Sequence, residues 1–221
     1  MKKRSKVKLF VSLSFIAVFV LWTVLVRFVD VSEIGPEGSA VGFAVFNRAV
    51  HEFFGVNFLL YNITDIAGIF PIAVAIAFAV WGFIQLVIRG SLIRVDRGIL
   101  AMGVFYILVI AVYLFFEVIV INYRPVLISG ALEASYPSST TLLVASVIPT
   151  AAIEIKSRAR GSKIKLLISF LTWAFVGIMV AARLISGVHW ATDIIGGVLI
   201  SAGLVLFYAY LRELFSAKGK F

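Results

Sequence analysis

Residues 66–88 read IAGIFPIAVAIAFAVWGFIQLVI, a run of 23 positions without an ionisable side chain. A transmembrane helix needs about 20 predominantly apolar residues, because the hydrocarbon core of a bilayer is about 30 Å thick. Five other stretches are long and apolar enough for the same purpose, at residues 9–29, 98–121, 138–155, 164–182 and 194–211. The sequence therefore predicts an all-α protein, a polytopic membrane bundle of six transmembrane helices.

The composition of the whole chain agrees with lipid as its main solvent. Hydrophobic residues make up 62% of the 221 residues and charged residues only 14%, with a mean hydropathy of +1.09, whereas a typical soluble domain has about 25% charged residues. No linker or repeat divides the chain, so we expect residues 1–221 to form a single integral-membrane domain. The first apolar stretch is similar to a secretory signal, but its length and the lack of a clear small-residue cleavage site favour a retained helix.

Most basic residues lie at alternate ends of the predicted helices: before the first, in the second and fourth connections, and after the sixth. These residues are Lys2, Lys3, Arg4, Lys6, Lys8, Arg89, Arg94, Arg97, Lys156, Arg158, Arg160, Lys163, Lys165, Arg212, Lys218 and Lys220. Because cytoplasmic loops are enriched in Lys and Arg, this pattern predicts a multi-pass protein of the cell membrane with both termini cytoplasmic. The net charge of +9 then follows from topology, and we expect no nucleic-acid partner.

The segments on the opposite, extracytoplasmic face contain most of the polar residues that topology does not explain. They cover residues 30–65, 122–136 and 185–192. In the first of them, Ile34-Gly-Pro-Glu-Gly-Ser39 predicts a turn. Residues 41–54 follow with apolar side chains near helical spacing, which predicts a short interfacial helix within a segment, residues 34–58, that covers a pocket.

Two residues on the outer face suit a reactive histidine. His189 and Asp193 are four positions apart at the start of the sixth helix, so they share a face, and the carboxylate can hold the imidazole in one tautomer. Such a pair makes a histidine nucleophile or base. Taken alone, a histidine at a helix end is more often a capping or interfacial residue, and Asp193 can be an ordinary acid of a first helical turn.

Two arginines and a run of hydroxyl groups on the same face suit an oxyanion. Arg124 follows the third helix and Arg183 ends the fifth, and guanidinium groups donate hydrogen bonds that fit phosphate oxygens. Ser138, Ser139 and Thr140 open the fourth helix, whose N-terminus favours an anion. Singly, an arginine can extend to lipid headgroups and a serine can be a plain N-cap. The coincidence of all these residues at helix ends on one face favours a phosphate site.

The last of these segments resembles the third motif of the type-2 phosphatidic-acid phosphatase superfamily of membrane lipid phosphatases. That motif is Ser-Arg-x5-His-x3-Asp, and Arg183, His189 and Asp193 keep its spacing, while Ala182 replaces the serine. The order of the motifs and the six-helix topology also fit. The resemblance covers about residues 60–212.

The other two motifs of the superfamily are matched in part. The first, Lys-x6-Arg-Pro, ends in Arg124-Pro125, and the second, Pro-Ser-Gly-His, begins with Pro137-Ser138. The departures are Glu117 for the lysine, Ser139 for the glycine and Thr140 for the histidine.

The resemblance implies hydrolysis of a phosphorylated lipid, of the phosphatidic acid or polyprenyl pyrophosphate class, at the extracytoplasmic face and without a cofactor. His189 would attack phosphorus to form a phosphohistidine, and Asp193 would orient it. The phosphoryl oxygens would be bound by Arg124, Arg183, Ser138, Ser139 and Thr140. No metal site is expected, since one histidine and scattered carboxylates do not make one.

The departures leave the substrate and the activity open. In the superfamily the histidine at the position of Thr140 protonates the leaving group, and a hydroxyl is a poor acid near neutral pH. One hypothesis is a lipid pyrophosphate substrate, whose departing phosphate needs little protonation. Alternatively, His51 acts as a substitute acid, or the protein is a pseudo-phosphatase that binds phosphorylated lipids without turnover. A transporter or channel would require ionisable residues at mid-membrane, where Glu117 and Glu154 are the main candidates.

Overall fold

The computed structural model describes residues 3–217. These residues form eight α-helices and two 3₁₀ turns, Pro36–Gly38 and Leu92–Arg94, and contain no β-strand. The helices are α1 (Lys3–Phe28), α2 (Ala44–Phe54), α3 (Phe58–Ala67), α4 (Ile69–Arg89), α5 (Arg97–Val118), α6 (Ser139–Arg158), α7 (Ser162–Ile185) and α8 (Ala191–Ala217). The predicted all-α fold is confirmed. Of the predicted basic residues, Lys2, Lys218 and Lys220 lie outside the described residues.

Six segments within residues 3–217 are long and apolar enough to cross a membrane. Five are α1, α5, α6, α7 and α8, and the sixth is the pair α3 and α4, which together cover Phe58–Arg89. The predicted bundle of six transmembrane helices is thus confirmed. The second span begins at Phe58 instead of residue 66, because Asn57 caps α3 by accepting a hydrogen bond from Leu60 N at 2.9 Å.

The last helix, α8, lies against α1, α5 and α6. Two glycines let other parts of the chain approach its first turns closely. A Cβ atom at Gly196 would lie 2.7 Å from the ring of Tyr136, and one at Gly197 would lie 3.0 Å from the side chain of Thr141. The segment before α6 therefore packs directly on the helix that carries Asp193.

A buried ionic cluster joins α6 to α8 at the end of the bundle opposite to the candidate site. Glu154 is only 1% exposed. Its Oε2 lies 2.5 Å from Arg158 Nη1, and its Oε1 lies 2.5 Å from both Arg212 Nε and Tyr208 Oη. The two cations compensate the cost of burying the carboxylate, which assigns Glu154 to the packing of these helices.

The segment before α3 contains the predicted turn and short helix, and it lies against the start of α8. The 3₁₀ turn at Pro36–Gly38 lies in the predicted turn, and α2 begins at Ala44 instead of residue 41. Asn47 holds this segment in place, since its Nδ2 donates to Thr192 Oγ1 at 2.9 Å and its Oδ1 accepts from Thr192 N at 3.2 Å. On the other side of α2, Phe53 is 81% exposed, as an interfacial helix requires.

Candidate active site

The candidate site lies where the loop between α7 and α8 meets the segment between α5 and α6. His189 belongs to that loop and is 3% exposed. Its Nε2 lies 3.2 Å from Nη1 of Arg124 and 3.3 Å from Nη2 of Arg183. The structure therefore brings three of the residues chosen from the sequence around one nitrogen atom.

These contacts assign the tautomer of His189. A guanidinium group has hydrogen-bond donors and no acceptor, so Nε2 must accept from both arginines and carries no proton. The proton of the neutral imidazole is then on Nδ1. Nε2 keeps a lone pair beside two cations, which is the arrangement that a nucleophile needs to attack a phosphoryl group.

The same surroundings lower the pKa of His189 well below the usual 6.5. The first cause is burial, and the charges of Arg124 and Arg183 add to it, because a third positive charge is unfavourable in this place. His189 is therefore neutral at pH 7, the protonation state in which an imidazole can attack.

Asp193 is fully buried in the first turn of α8 and is held from several sides. Its Oδ1 accepts from Asn122 Nδ2 at 3.1 Å and its Oδ2 from the backbone N–H of Trp190 at 3.0 Å. The distance from Oδ2 to His189 Nδ1 is 3.9 Å, beyond the range of a hydrogen bond. The hydroxyl of Ser135 lies between them, 2.5 Å from Oδ2 and 3.0 Å from Nδ1. A serine thus separates the two residues that the spacing of the sequence pairs directly.

Arg183 ends α7 and is oriented by residues of α3. Its Nη1 lies 3.2 Å from Thr64 Oγ1 and 3.8 Å from Asp65 Oδ1, and its guanidinium carbon lies 4.9 Å from the ring centroid of Tyr61. The side chain is 1% exposed. Among the described residues, its buried Nε has no hydrogen-bond partner, so one donor remains for a ligand oxygen.

Arg124 is fixed by the loop that follows it. Its backbone N–H donates to Glu133 O at 3.0 Å, and its Nε lies 3.1 Å from Glu133 Oε2. Glu117, at the position of the lysine in the first motif, is exposed on α5. The carboxylate that pairs with Arg124 therefore comes from Glu133. No ion pair joins Glu117 to Arg124 among the described residues.

The three hydroxyl residues at the start of α6 have different surroundings. Ser138 is fully buried, its Oγ accepts from Thr141 N at 3.5 Å, and its N–H donates to the backbone oxygen of Asp193 at 3.1 Å. The Ser138 hydroxyl is therefore an N-cap and contacts neither arginine. Ser139 and Thr140 are half-buried and line a cleft beside the site.

This cleft has a volume of about 450 Å³ and lies between α4, α5 and α6. Its wall is mainly aliphatic, and the residues that supply it include Ile69, Ile72, Val109, Ile110, Leu142 and Leu143. Its polar lining comes from Asp65, Tyr113, Ser139 and Thr140. Because Asp65 is also 3.8 Å from Arg183, the polar end of the cleft adjoins Arg183.

The sequence did not single out several residues that the site uses. Ser135 and Asn122 lie in the polar segment 122–136. The sequence predicts a functional role for this segment but does not distinguish these two residues within it. Tyr61, Thr64 and Asp65 lie in the connection predicted for residues 30–65, although their spacing of three and four residues is helical. A helix drawn from Phe58 would have placed these three side chains near one end of the second span.

His51, the other histidine of the chain, does not contact His189 directly. Its ring centroid lies 5.4 Å from that of Trp190, the residue that follows His189. Burial lowers its pKa below the usual 6.5. Its role as a substitute acid stays a prediction.

Comparison with known proteins agrees with the resemblance given by the motifs. Residues 119–216 match the family model of the PAP2 superfamily. Over 95% of this chain and 97% of the other, the fold is similar to the crystal structure of the transmembrane PAP2 type phosphatidylglycerolphosphate phosphatase from Bacillus subtilis, with a TM-score of 0.59 and 19% identity. No curated protein sequence matches. The predicted resemblance and the membrane fold are confirmed.

Proposed function

We propose that this chain, whose residues 119–216 match the PAP2 superfamily, is a membrane lipid phosphatase that works through a phosphohistidine on His189. One observation carries the proposal. Nε2 of a buried, neutral histidine lies within 3.3 Å of two guanidinium groups, so a nucleophile and the cations that would bind its target meet at one point.

In the proposed reaction the lone pair of Nε2 attacks phosphorus, and the bond from phosphorus to the leaving oxygen breaks. The electron pair of that bond departs with the leaving group. Arg124 and Arg183 donate to the non-bridging oxygens, whose charge offsets the repulsion between the two guanidinium groups. A water molecule then attacks phosphorus, its oxygen stays on the released phosphate, and the electron pair of the N–P bond returns to Nε2. The proton that the water loses passes to the released phosphate or the departed leaving group, and His189 is restored.

The cleft supports a lipid as the substrate. A volume of about 450 Å³ is in the usual range for a ligand site, and the aliphatic wall suits the hydrocarbon part of a lipid. Its polar end adjoins Arg183 through Asp65. A substrate chain in this cleft would place its phosphate at the two arginines.

Within this class we propose a lipid pyrophosphate, such as a polyprenyl pyrophosphate, as the preferred substrate. Thr140 lines the cleft at the position where the superfamily has its general acid, and a hydroxyl is a poor acid near neutral pH. An alkoxide leaving group needs a proton at that point. A phosphate leaving group is far less basic and can depart without one.

The distribution of charge supports an extracytoplasmic site. The site residues lie at the ends of α5 and α7 and at the starts of α6 and α8, whereas Arg89, Arg94 and Arg97 lie at the other ends of α4 and α5. Cytoplasmic loops are the more basic ones. We therefore place the site outside and both termini in the cytoplasm, in a single domain that covers residues 1–221.

The test is phosphate release by the purified protein in detergent from matched lipid monophosphates and pyrophosphates, with His189→Ala as the inactive control. We expect release from both, faster from the pyrophosphate, and ³²P from a terminally labelled substrate that is trapped on the wild-type protein and not on H189A. Faster hydrolysis of the monophosphate would overturn the proposed preference. Binding of both lipids without release or trapping would instead favour the pseudo-phosphatase, the alternative that Glu117 and Thr140 raise.

A further inference from the structure

We infer that Ser135 is a positioning residue that connects His189 to Asp193, so that the carboxylate acts on the nucleophile through a serine hydroxyl. The inference rests on the proposed function for its effect on rate, and on geometry alone for the connection itself. The three side chains form one buried row, with distances of 3.0 Å from Nδ1 to Oγ and 2.5 Å from Oγ to Oδ2.

The direction of each hydrogen bond in this row is fixed by the arginines at one end and the carboxylate at the other. At one end, the arginines require an unprotonated Nε2, so Nδ1 carries the proton and donates it to Oγ of Ser135. The hydroxyl of Ser135 then has its own proton free for Oδ2 of Asp193. A separation of 2.5 Å is typical of a hydroxyl that donates to an ionised carboxylate.

Asp193 cannot replace the serine by moving toward the histidine. Asn122 and the backbone N–H of Trp190 hold its two oxygens at 3.1 and 3.0 Å, and the distance that remains to Nδ1 is 3.9 Å. Ser135 is itself fixed, because its N–H donates to Asn122 O at 2.9 Å. The carboxylate and the ring are thus held at a spacing that one hydroxyl fills.

This connection gives Ser135 a function during the reaction. When Nε2 bonds to phosphorus, the imidazole ring becomes positively charged and Nδ1–H becomes a stronger donor. The negative charge of Asp193 then stabilises that proton through the hydroxyl of Ser135, and both protons of the row stay in place. The loop that opens α6 therefore also controls the orientation of the nucleophile on the loop before α8.

The first test observes the hydrogen bond in the resting protein and needs no turnover. The Nδ1–H resonance of His189 is detected by ¹H–¹⁵N NMR in detergent micelles and assigned by its absence in H189A. In S135A we expect this resonance to shift upfield and exchange faster with solvent. Asp193→Asn should shift the Nδ1–H resonance of His189 when it is introduced into the wild-type protein. It should have little effect on this resonance when it is introduced into S135A. An equal shift in both backgrounds would show a direct contact and overturn the inference.

The second test uses rates. S135A should lower kcat about 10- to 100-fold, by analogy with the loss when the partner that orients a metal-binding histidine is removed, and change KM by less than about threefold. The double variant S135A/D193N should be no slower than D193N by more than about twofold, because both changes break the same row. Multiplicative losses would overturn the connection.

Ser146→Ala is the matched control for the loss of a buried hydroxyl. Ser146 is fully buried and donates to Ser201 Oγ at 3.2 Å between α6 and α8. S146A should leave both the Nδ1–H resonance and kcat within about twofold of wild type. If no lipid phosphate is hydrolysed, the proposed function fails while the NMR result still decides the role of Ser135.

Discussion

The substitution Thr140→His should restore the acid that the superfamily has at this position, and its effect should depend on the leaving group. Thr140 is half-buried and lines the cleft of about 450 Å³, so the larger ring can extend into open space. A Cβ atom placed on Gly68 would lie 3.5 Å from Thr140 Cγ2, an ordinary contact. The glycine therefore leaves room on the side of α3 and α4.

The size of the effect follows from the value of general-acid catalysis, about 10²- to 10⁴-fold in rate. At about 1.4 kcal/mol per factor of ten, that is about 3–5 kcal/mol. We expect T140H to raise kcat/KM for a lipid monophosphate by at least about 10²-fold, because the alkoxide then receives a proton. For the matched pyrophosphate the increase should stay below about tenfold, since phosphate departs without help.

The assay is phosphate release from the two lipids between pH 5 and 9, with T140V and T140H/H189A as controls. T140V keeps the shape of the side chain, removes its hydroxyl and adds no acid, so it should not favour the monophosphate. The new activity of T140H should decline as pH rises above about 6.5, the ordinary pKa of histidine, because the acid must be protonated. An equal increase for both lipids, or no increase in a folded protein that still binds them, would refute the reasoning.

Three further results are expected. Arg183→Lys keeps the charge and loses the fork of donors, so kcat/KM should fall about 10- to 100-fold, as charge-assisted hydrogen bonds of about 1.5–3 kcal/mol predict; an unchanged value would remove Arg183 from the phosphate site. In an NMR titration without substrate, the pKa of His189 should lie below the usual 6.5, so that the ring is still neutral at that pH. Arg124→Gln should raise this pKa because a nearby positive charge is lost. A lower pKa in R124Q would contradict the electrostatic explanation. Glu154→Gln should reduce stability in detergent by about 2–3 kcal/mol without changing ³²P trapping per folded molecule, and unchanged thermal unfolding would show that the cluster at Glu154 is not stabilising.

The sequence predicted the membrane bundle because hydropathy depends on length and composition alone. Six apolar runs identified the six spans, and only their ends moved. The second span begins earlier because Asn57 caps α3, a local contact that a hydropathy pattern does not register. That shift matters for the site, because it places Thr64 and Asp65 on a helix beside Arg183.

The part of the site that comes from one continuous motif, residues 183–193, could be predicted from the sequence. Arg183 and His189 are six residues apart, and their meeting at Nε2 follows from a tight turn after α7. The row through Ser135 was not predictable, because it depends on a distance of 3.9 Å between two residues that share a helical spacing. Whether such a pair touches directly or through a third residue is decided by how a separate loop packs on α8.

Two of the four departures from the superfamily motifs line the cleft, whereas Glu117 is exposed on α5 and Ala182 precedes Arg183 on α7. His189, Arg183, Arg124 and Asp193 keep the motif residues and lie together, and all but Arg124 are fully buried. Two changed positions, Thr140 and Ser139, lie in the wall of the cleft where the rest of the substrate would be. A neutral histidine between two arginines is costly without an anion, so this arrangement favours a site that binds one. This pattern supports the proposed function, in which the attack step is retained and the leaving group needs no acid.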